Sequence, residues 1–252
     1  MPRDQICRGK DQAAEIQRRY YTETATKYDS MHAYETSTDQ SMVRFVHAFL
    51  QIIEARSMLD VGTATGLGLR ELKDARPELF VCGVEPVAAL IHQAVEKGNT
   101  TRVPIIQASG DALPFSDASF DAVCEFGVLH HASNPAAVVK EMLRVARKAV
   151  FICDSNRFGQ GSRAARLIKL FLCKSRLWSF YTFLRTRGKG YLITEGDGLA
   201  YSYSIYDSYD LVSRWADRII LIPTSARERS ASWFHPLLNS SGVLLCALKE
   251  HP

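Results

Sequence analysis

An α/β fold with a mostly parallel sheet is the class this sequence predicts, on three observations. Short apolar runs recur at about 57–61, 80–84, 104–108, 121–126 and 149–154. Most are separated by segments of helical period, at 66–75, 87–97 and 135–146. The first run ends in a glycine turn followed at once by a helix, which is how a strand hands over to a crossover helix in a parallel sheet. Such a sheet carries helices on both faces, and its ligand crevice lies at the carboxyl ends of the strands.

Taken in order, an amphipathic helix over about 11–27 and a second over 39–55 precede strand 57–61. The alternating core then runs to 154. Beyond it, 155–189 reads as one or two amphipathic helices, and Tyr201 and Tyr203 alternate with serines as in a short strand or extended loop. Ser208 to Ala216 reads as a helix, and 218–223 and 242–248 as the last strands. One domain accounts for 252 residues. Its parts are N-terminal helices at 1–56, a binding core at 57–154, a cap insertion at 155–205 and C-terminal strands at 206–252.

No secretory leader and no apolar run of 18 residues is present, so the expected compartment is the cytoplasm. Cys82, Cys124, Cys153 and Cys246 fall inside strand-like runs, Cys7 and Cys173 elsewhere, and there is no C-x-x-C pair. These read as free, mostly buried thiols. With no clustered His, Cys or Asp spacing, no metal site is expected.

The turn after the first strand carries the most information. Met58-Leu59-Asp60-Val61-Gly62-Thr63-Ala64-Thr65-Gly66 is D-x-G-x-x-x-G, unlike the G-x-G-x-x-G of a dinucleotide fold. An aspartate beside the loop would repel a pyrophosphate. It suits a ligand with a cationic amino or sulfonium group, since opposite charges attract more strongly where water is partly excluded. S-adenosylmethionine fits that description.

The second strand ends at Glu85, where a carboxylate can accept from both ribose hydroxyls. Further on, Gly110-Asp111-Ala112-Leu113-Pro114-Phe115 repeats the strand-then-acid arrangement, and Phe120-Asp121 runs through Phe126 to His130-His131. Over roughly residues 20–154, with Tyr28-Asp29 in the lead-in, this ordered series resembles the class I S-adenosylmethionine-dependent methyltransferases, specifically the small-molecule group similar to the quinone-biosynthesis enzymes.

The resemblance implies a Rossmann-like sheet of about seven strands with helices on both faces, an antiparallel last strand and a helical cap insertion. It implies that Asp60, Gly62 and Gly66 line the methionine end of S-adenosylmethionine and that Glu85 holds the ribose. Asp111 would accept from the adenine amino group with the Ala112 N–H beside it, and Phe126 would lie under the cofactor. Tyr20 and Tyr28 would fold over it. The turn departs from the family pattern in Thr63-Ala64-Thr65, where relatives carry more glycine.

Residues 155–189 hold nine Lys and Arg and no Asp or Glu, while the whole chain has a net charge of only +4. Between these cations run Leu, Ile, Phe, Trp and Tyr. Such a segment can cap the domain, rest on an anionic membrane surface, or guide an anionic or lipid-linked small-molecule substrate. A nucleic-acid partner ranks last, because no RNA-binding module is recognisable.

Methyl transfer from a sulfonium requires alignment and exclusion of water, with a base only where the acceptor loses a proton. The candidate catalytic residues are His131 and, beside it, His130; Asp154, Asn156, Tyr206 and Asp207 are weaker candidates. The expected activity is methylation of a small molecule, on oxygen of a hydroxylated natural product, glycan or lipid-linked substrate. A silent cofactor-binding partner subunit and a nicotinamide-dependent oxidoreductase are the alternatives.

Overall fold

The computed structural model describes residues 3–32, 36–194, 196–224, 238 and 240–250, with side chains from residue 12 onward and again from 42. Glu195 and the Cys7 side chain lie outside the described residues.

The N-terminal helix α1 (Arg3–Thr24) runs through a short 3-10 turn into α2 (Tyr28–Met31), and α3 (Thr36–Ile52) leads into β1 (Ser57–Val61). The core continues as α4 (Leu67–Ala75), β2 (Phe80–Glu85), α5 (Ala88–Glu96), β3 (Ile105–Gln107), β4 (Phe120–Phe126), α6 (Pro135–Val145) and β5 (Ala146–Ser155). Helices α7 (Arg163–Lys174) and α8 (Trp178–Arg185) follow, then the hairpin β6 (Tyr191–Thr194) and β7 (Gly198–Tyr201). Helix α9 (Tyr209–Ser213) and strands β8 (Arg218–Pro223) and β9 (Gly242–Leu248) complete the chain.

Seven strands form one sheet in the order β3-β2-β1-β4-β5-β9-β8, and β6 pairs with β7 alone. The first five pair in parallel; β9 is antiparallel to both β5 and β8. This is the predicted doubly wound sheet, with its antiparallel hairpin at the end. Parallel strands covered on both faces must be apolar on both, and alternate residues divide accordingly. Leu59, Val61, Val123, Val150 and Ile152 pack under α6 and α9. Met58, Ala122, Cys124 and Phe151 pack under α3 and α4.

From β1 the chain winds outward through β2 and β3, then returns to place β4 on the other side of β1. Strand order therefore reverses between β1 and β4, which opens a crevice at their carboxyl ends. Asp60 lies opposite Gly83 on one side and Cys124 on the other, at the floor of that crevice.

The stretch 155–189 forms two helices as expected, and Tyr201 ends a short strand, one of the two forms expected there, which pairs with β6 in a hairpin. Gly198, at φ +70, allows the close approach: a Cβ there would lie 2.7 Å from the Tyr20 ring and 2.8 Å from Gln17. Helix α1 and β7 thus pack directly on each other.

Candidate functional site

The turn after β1 is shaped by positions that only glycine fills well. Gly62 has φ +80, and a Cβ on it would meet Val128 at 2.4 Å; Gly66 has φ +70 and caps α4. The Gly62 and Thr63 N–H groups both donate to the Val84 carbonyl, at 2.7 and 3.1 Å, which binds the turn to the end of β2.

Glu85, buried at that end, completes the cradle. Its Oε2 accepts from the Ala64 N–H and its Oε1 from the Val87 N–H, each at 2.9 Å. Two backbone donors fix the carboxylate and leave one lone pair on each oxygen, the number a ribose diol needs. Burial pushes Glu85 up to about 7 and Asp60 up to about 6. A positive ligand entering the crevice would restore both to the ionised form. Beside Asp60 lies the Cys124 thiol, which donates to Oδ1 at 3.3 Å.

The lead-in folds over this turn. Tyr28 and Tyr21 pack against a cluster of Ala25, Ala64, Val87 and Leu90, so Tyr28 lies beside the turn itself. Asp29 accepts from the Thr65 hydroxyl at 2.6 Å and from Lys97 at 2.7 Å. Tyr20 instead faces the cap hairpin at Gly198.

Asp111 is exposed after β3 and accepts from the Ser109 hydroxyl at 2.6 Å. The Ala112 N–H donates to the Ser109 carbonyl at 3.1 Å, so the donor expected to face an adenine already closes a turn. Phe126, at the end of β4, packs on the cluster beneath α3 and α4.

His130 and His131 follow β4 in a 3-10 turn and meet Asp197, from the cap hairpin. His130 Nδ1 is 2.9 Å from Asp154 and its Nε2 is 3.3 Å from Asp197. Burial works against its charge, but bonding to Asp154, and then to Asp197, outweighs this and lifts His130 to about 10. Both ring nitrogens of His130 thus lie against carboxylates.

His131 has a different set of partners. Its Nδ1 donates to the Leu199 carbonyl at 2.7 Å, directing Nε2 toward the Tyr21 hydroxyl at 3.1 Å and Asp197 at 3.2 Å. Asp197 loses some ionisation to burial, yet its bonds with His130 and His131 hold it well below the usual carboxylate range.

Asn156, Asp207 and Asp154 are spent on structure, while Tyr206 is half-buried with its ring 6.3 Å from that of Phe158. Asn156 is fully buried; its side-chain oxygen accepts from the Phe158 N–H at 3.1 Å and its amide donates to the Ser240 carbonyl at 2.8 Å. Asp207 pairs with buried Arg157, which also donates to the Ser202 carbonyl at 2.9 Å and stacks over Trp178 at 5.1 Å. Asp154 is occupied by His130.

Sequence reasoning missed Tyr21, Gln17 and Asp197. Gln17 accepts from the Leu199 N–H at 2.6 Å and so fixes the strand that holds His131. The available signals were the Tyr20-Tyr21 pair and the Gly196-Asp197-Gly198 turn, but nothing local says that they meet His131. Missed too was Glu125, fully buried, whose Oε2 accepts from the Val128 N–H at 2.8 Å. Burial, reinforced by Asp154, pushes its carboxyl well above the usual range. Together His130, His131 and Asp197 form a group compact enough to ligate a metal ion, which the expectation of no such clustering did not foresee.

Comparison with known proteins covers this same region. A methyltransferase-domain family matches residues 59–153. A demethylmenaquinone methyltransferase of Roseiflexus castenholzii is 32% identical over 138 residues, 54% of this chain and 58% of the relative. One of Deinococcus radiodurans is 33% identical over 129 residues, 50% of this chain and 53% of the relative. The chain thus spans a little over half the length of these relatives. Magnesium protoporphyrin IX methyltransferase from Synechocystis PCC 6803, solved with SAH bound, shares the fold at a TM-score of 0.63 and 16% identity, over 94% of this chain and 100% of that one. Residues 59–153 thus match a methyltransferase domain, and the sheet order and the glycine turn with its two carboxylates agree with that match.

Proposed function

We propose that this protein transfers the methyl group of S-adenosylmethionine to an oxygen of a hydroxylated small molecule. Asp60 attracts the methionine end, Gly62 and Gly66 admit it close to the main chain, and Glu85 accepts from the ribose hydroxyls. Tyr28 covers the cofactor, Asp111 faces its adenine, and Phe126 lies below it. Two of the named relatives are demethylmenaquinone methyltransferases, which supports a small-molecule acceptor.

One observation carries the choice of oxygen: His131 is held by the Leu199 carbonyl so that Nε2, and not Nδ1, is presented beside Asp197. S-adenosylmethionine, when bound, would supply the methyl group and lose its C–S bond to an attacking hydroxyl, whose proton His131 Nε2 would take. Asp197 stabilises the imidazolium that forms. His130, already positive, holds Asp197 in place from the other side. Because a sulfonium would depart as a neutral thioether, none of these residues would need to act as an acid.

Residues 155–205, which begin where β5 ends and return through β7 to His131, form the cover of the acceptor site. The five described cysteines are all free thiols, as in a reducing cytoplasm, where we place the enzyme. Among the described residues, no helix is long and apolar enough to cross a membrane.

The test is to incubate the protein with methyl-labelled S-adenosylmethionine and a panel of phenols, alcohols and amines, and read label transfer by mass spectrometry. Transfer to a hydroxyl, lost in His131→Ala, is the expected outcome. Label on amines alone would refute the oxygen reading. Cofactor binding without transfer to any member would favour the silent partner subunit.

A further inference from the structure

Helix α7 is built the wrong way round for a helix facing water. It buries Arg166, whose guanidinium donates to the Gly161 and Leu238 carbonyls at 2.8 Å each, and turns Lys169 onto the Arg157 and Gln160 carbonyls at 3.0 and 3.1 Å. On its outer side stand Leu167, Ile168 and Phe171, with 52, 58 and 65% of their surface exposed. Helix α8, which packs on α7, repeats the arrangement with Phe180, Phe183 and Leu184 at 63, 54 and 59%. The spacings 167, 168, 171 and 180, 183, 184 put each trio on one side of its helix. Large apolar residues clustered this way on a surface mark a docking site, because burying them is where the free energy lies.

The charge around the patch identifies what docks. Six cations of the segment are exposed, and no Asp or Glu occurs between Asp154 and Glu195. Three of these cations, Arg185, Arg187 and Lys189, line a notch of about 260 Å³ with Tyr191, Leu192 and Ile193. The notch has an ordered frame. Thr186 is buried and accepts from the Gly190 N–H at 2.9 Å, the Gly188 N–H donates to the Phe183 carbonyl at 2.8 Å, and Arg187 holds φ +51. Cations on a fixed turn, next to apolar side chains that point into solvent, match a phosphate headgroup with its acyl chains alongside.

We propose that α7, α8 and the turn 186–190 dock the protein on an anionic phospholipid bilayer. The headgroup phosphate sits among Arg185, Arg187 and Lys189, and Leu167, Ile168, Phe171, Phe180, Phe183 and Leu184 enter the acyl boundary. The same segment continues through β6 to Asp197 and on to Leu199 in β7, so a docked cap brings the His131 site to the membrane surface. This last consequence rests on the methyl-transfer reading; the docking does not.

The experiment is sedimentation of the full chain with vesicles of phosphatidylcholine alone and of phosphatidylcholine mixed with phosphatidylglycerol. The variants are Arg185→Glu/Arg187→Glu/Lys189→Glu and Phe171→Ser/Phe180→Ser, each checked for its fold by calorimetry with S-adenosylmethionine. Wild type should bind the anionic vesicles at least about tenfold more tightly, both variants should lose that gain, and inorganic phosphate should compete only weakly. Equal binding to both vesicles, binding to neither, or retention in the charge-reversed variant would overturn the proposal. So would a concentration-dependent dimer, dissociated by the serine variant, in a protein that ignores vesicles. Should either variant fail to fold, the wild-type comparison decides alone. A wild type that binds S-adenosylmethionine but neither kind of vesicle removes this inference and leaves the proposed reaction standing.

Discussion

Thr65 donates its hydroxyl hydrogen to Asp29 across 2.6 Å, joining the glycine turn to the short helix α2. Lys97 reaches the other oxygen of the same carboxylate at 2.7 Å, so Asp29 ties together the lead-in, the turn and the end of α5. Asp29 thus ties the lead-in to the turn beside the apolar packing of Tyr21 and Tyr28.

Asp29→Ala should therefore loosen the cover without touching the cradle itself. We expect S-adenosylmethionine affinity in calorimetry to fall by about tenfold, which corresponds to losing one charge-assisted hydrogen bond of roughly 1.5 kcal/mol. Proteolysis within residues 20–32 should be faster. Unchanged affinity and unchanged protease resistance would show that the latch does not hold the lead-in.

At Gly62, both backbone and space forbid a side chain, because φ is +80 and Val128 stands 2.4 Å from the place of a Cβ. Gly62→Ala is expected to destabilise the fold by about 1–3 kcal/mol in urea unfolding. It should also weaken cofactor binding. A midpoint equal to wild type would mean that Val128 moves aside without cost.

How much of this was legible in the sequence follows from the range of each interaction. Strands β1, β2 and β4 were readable because a buried parallel strand must be apolar along its own length, and Asp60 and Glu85 because each breaks such a run at its end. Asp197 was not readable. It stands 66 positions after His131, and only the packing of α1 on β7, through Gln17 and the glycine at 198, brings the two together. Arg166 and Lys169 mislead for a related reason. A basic residue on a helix reads as solvated until the carbonyls that receive it are known.

The protonation states imply a pH dependence whose sign is fixed. Burial raises Asp60 to about 6 and Glu85 to about 7, above the ordinary carboxylate values near ~4. The folded cofactor-free protein then binds more protons than the unfolded chain in that window, so its stability falls as pH rises through it. Cofactor affinity should move the opposite way, rising from about pH 5 to about pH 8 as the two acids ionise. Thermal melts with and without S-adenosylmethionine across that range would show both trends; an affinity independent of pH would argue that neither carboxyl meets a cationic ligand.

For the proton acceptor, His131→Ala should lower turnover by about 10²–10⁴-fold with cofactor affinity nearly intact. His130→Gln should cost less, since it supports Asp197 and touches no acceptor. Its effect should appear as a shift of the pH–rate profile. Full activity in His131→Ala would remove that side chain from the reaction.

The central claim is that Asp60 at the end of β1 draws the positive end of the methyl donor into the turn. Titration calorimetry of S-adenosylmethionine into wild type and Asp60→Ala tests it most directly. The account predicts affinity weaker by at least about tenfold in the variant, with an unfolding midpoint no lower than that of wild type, because a buried carboxyl has been removed. Equal affinity in the two proteins would contradict it.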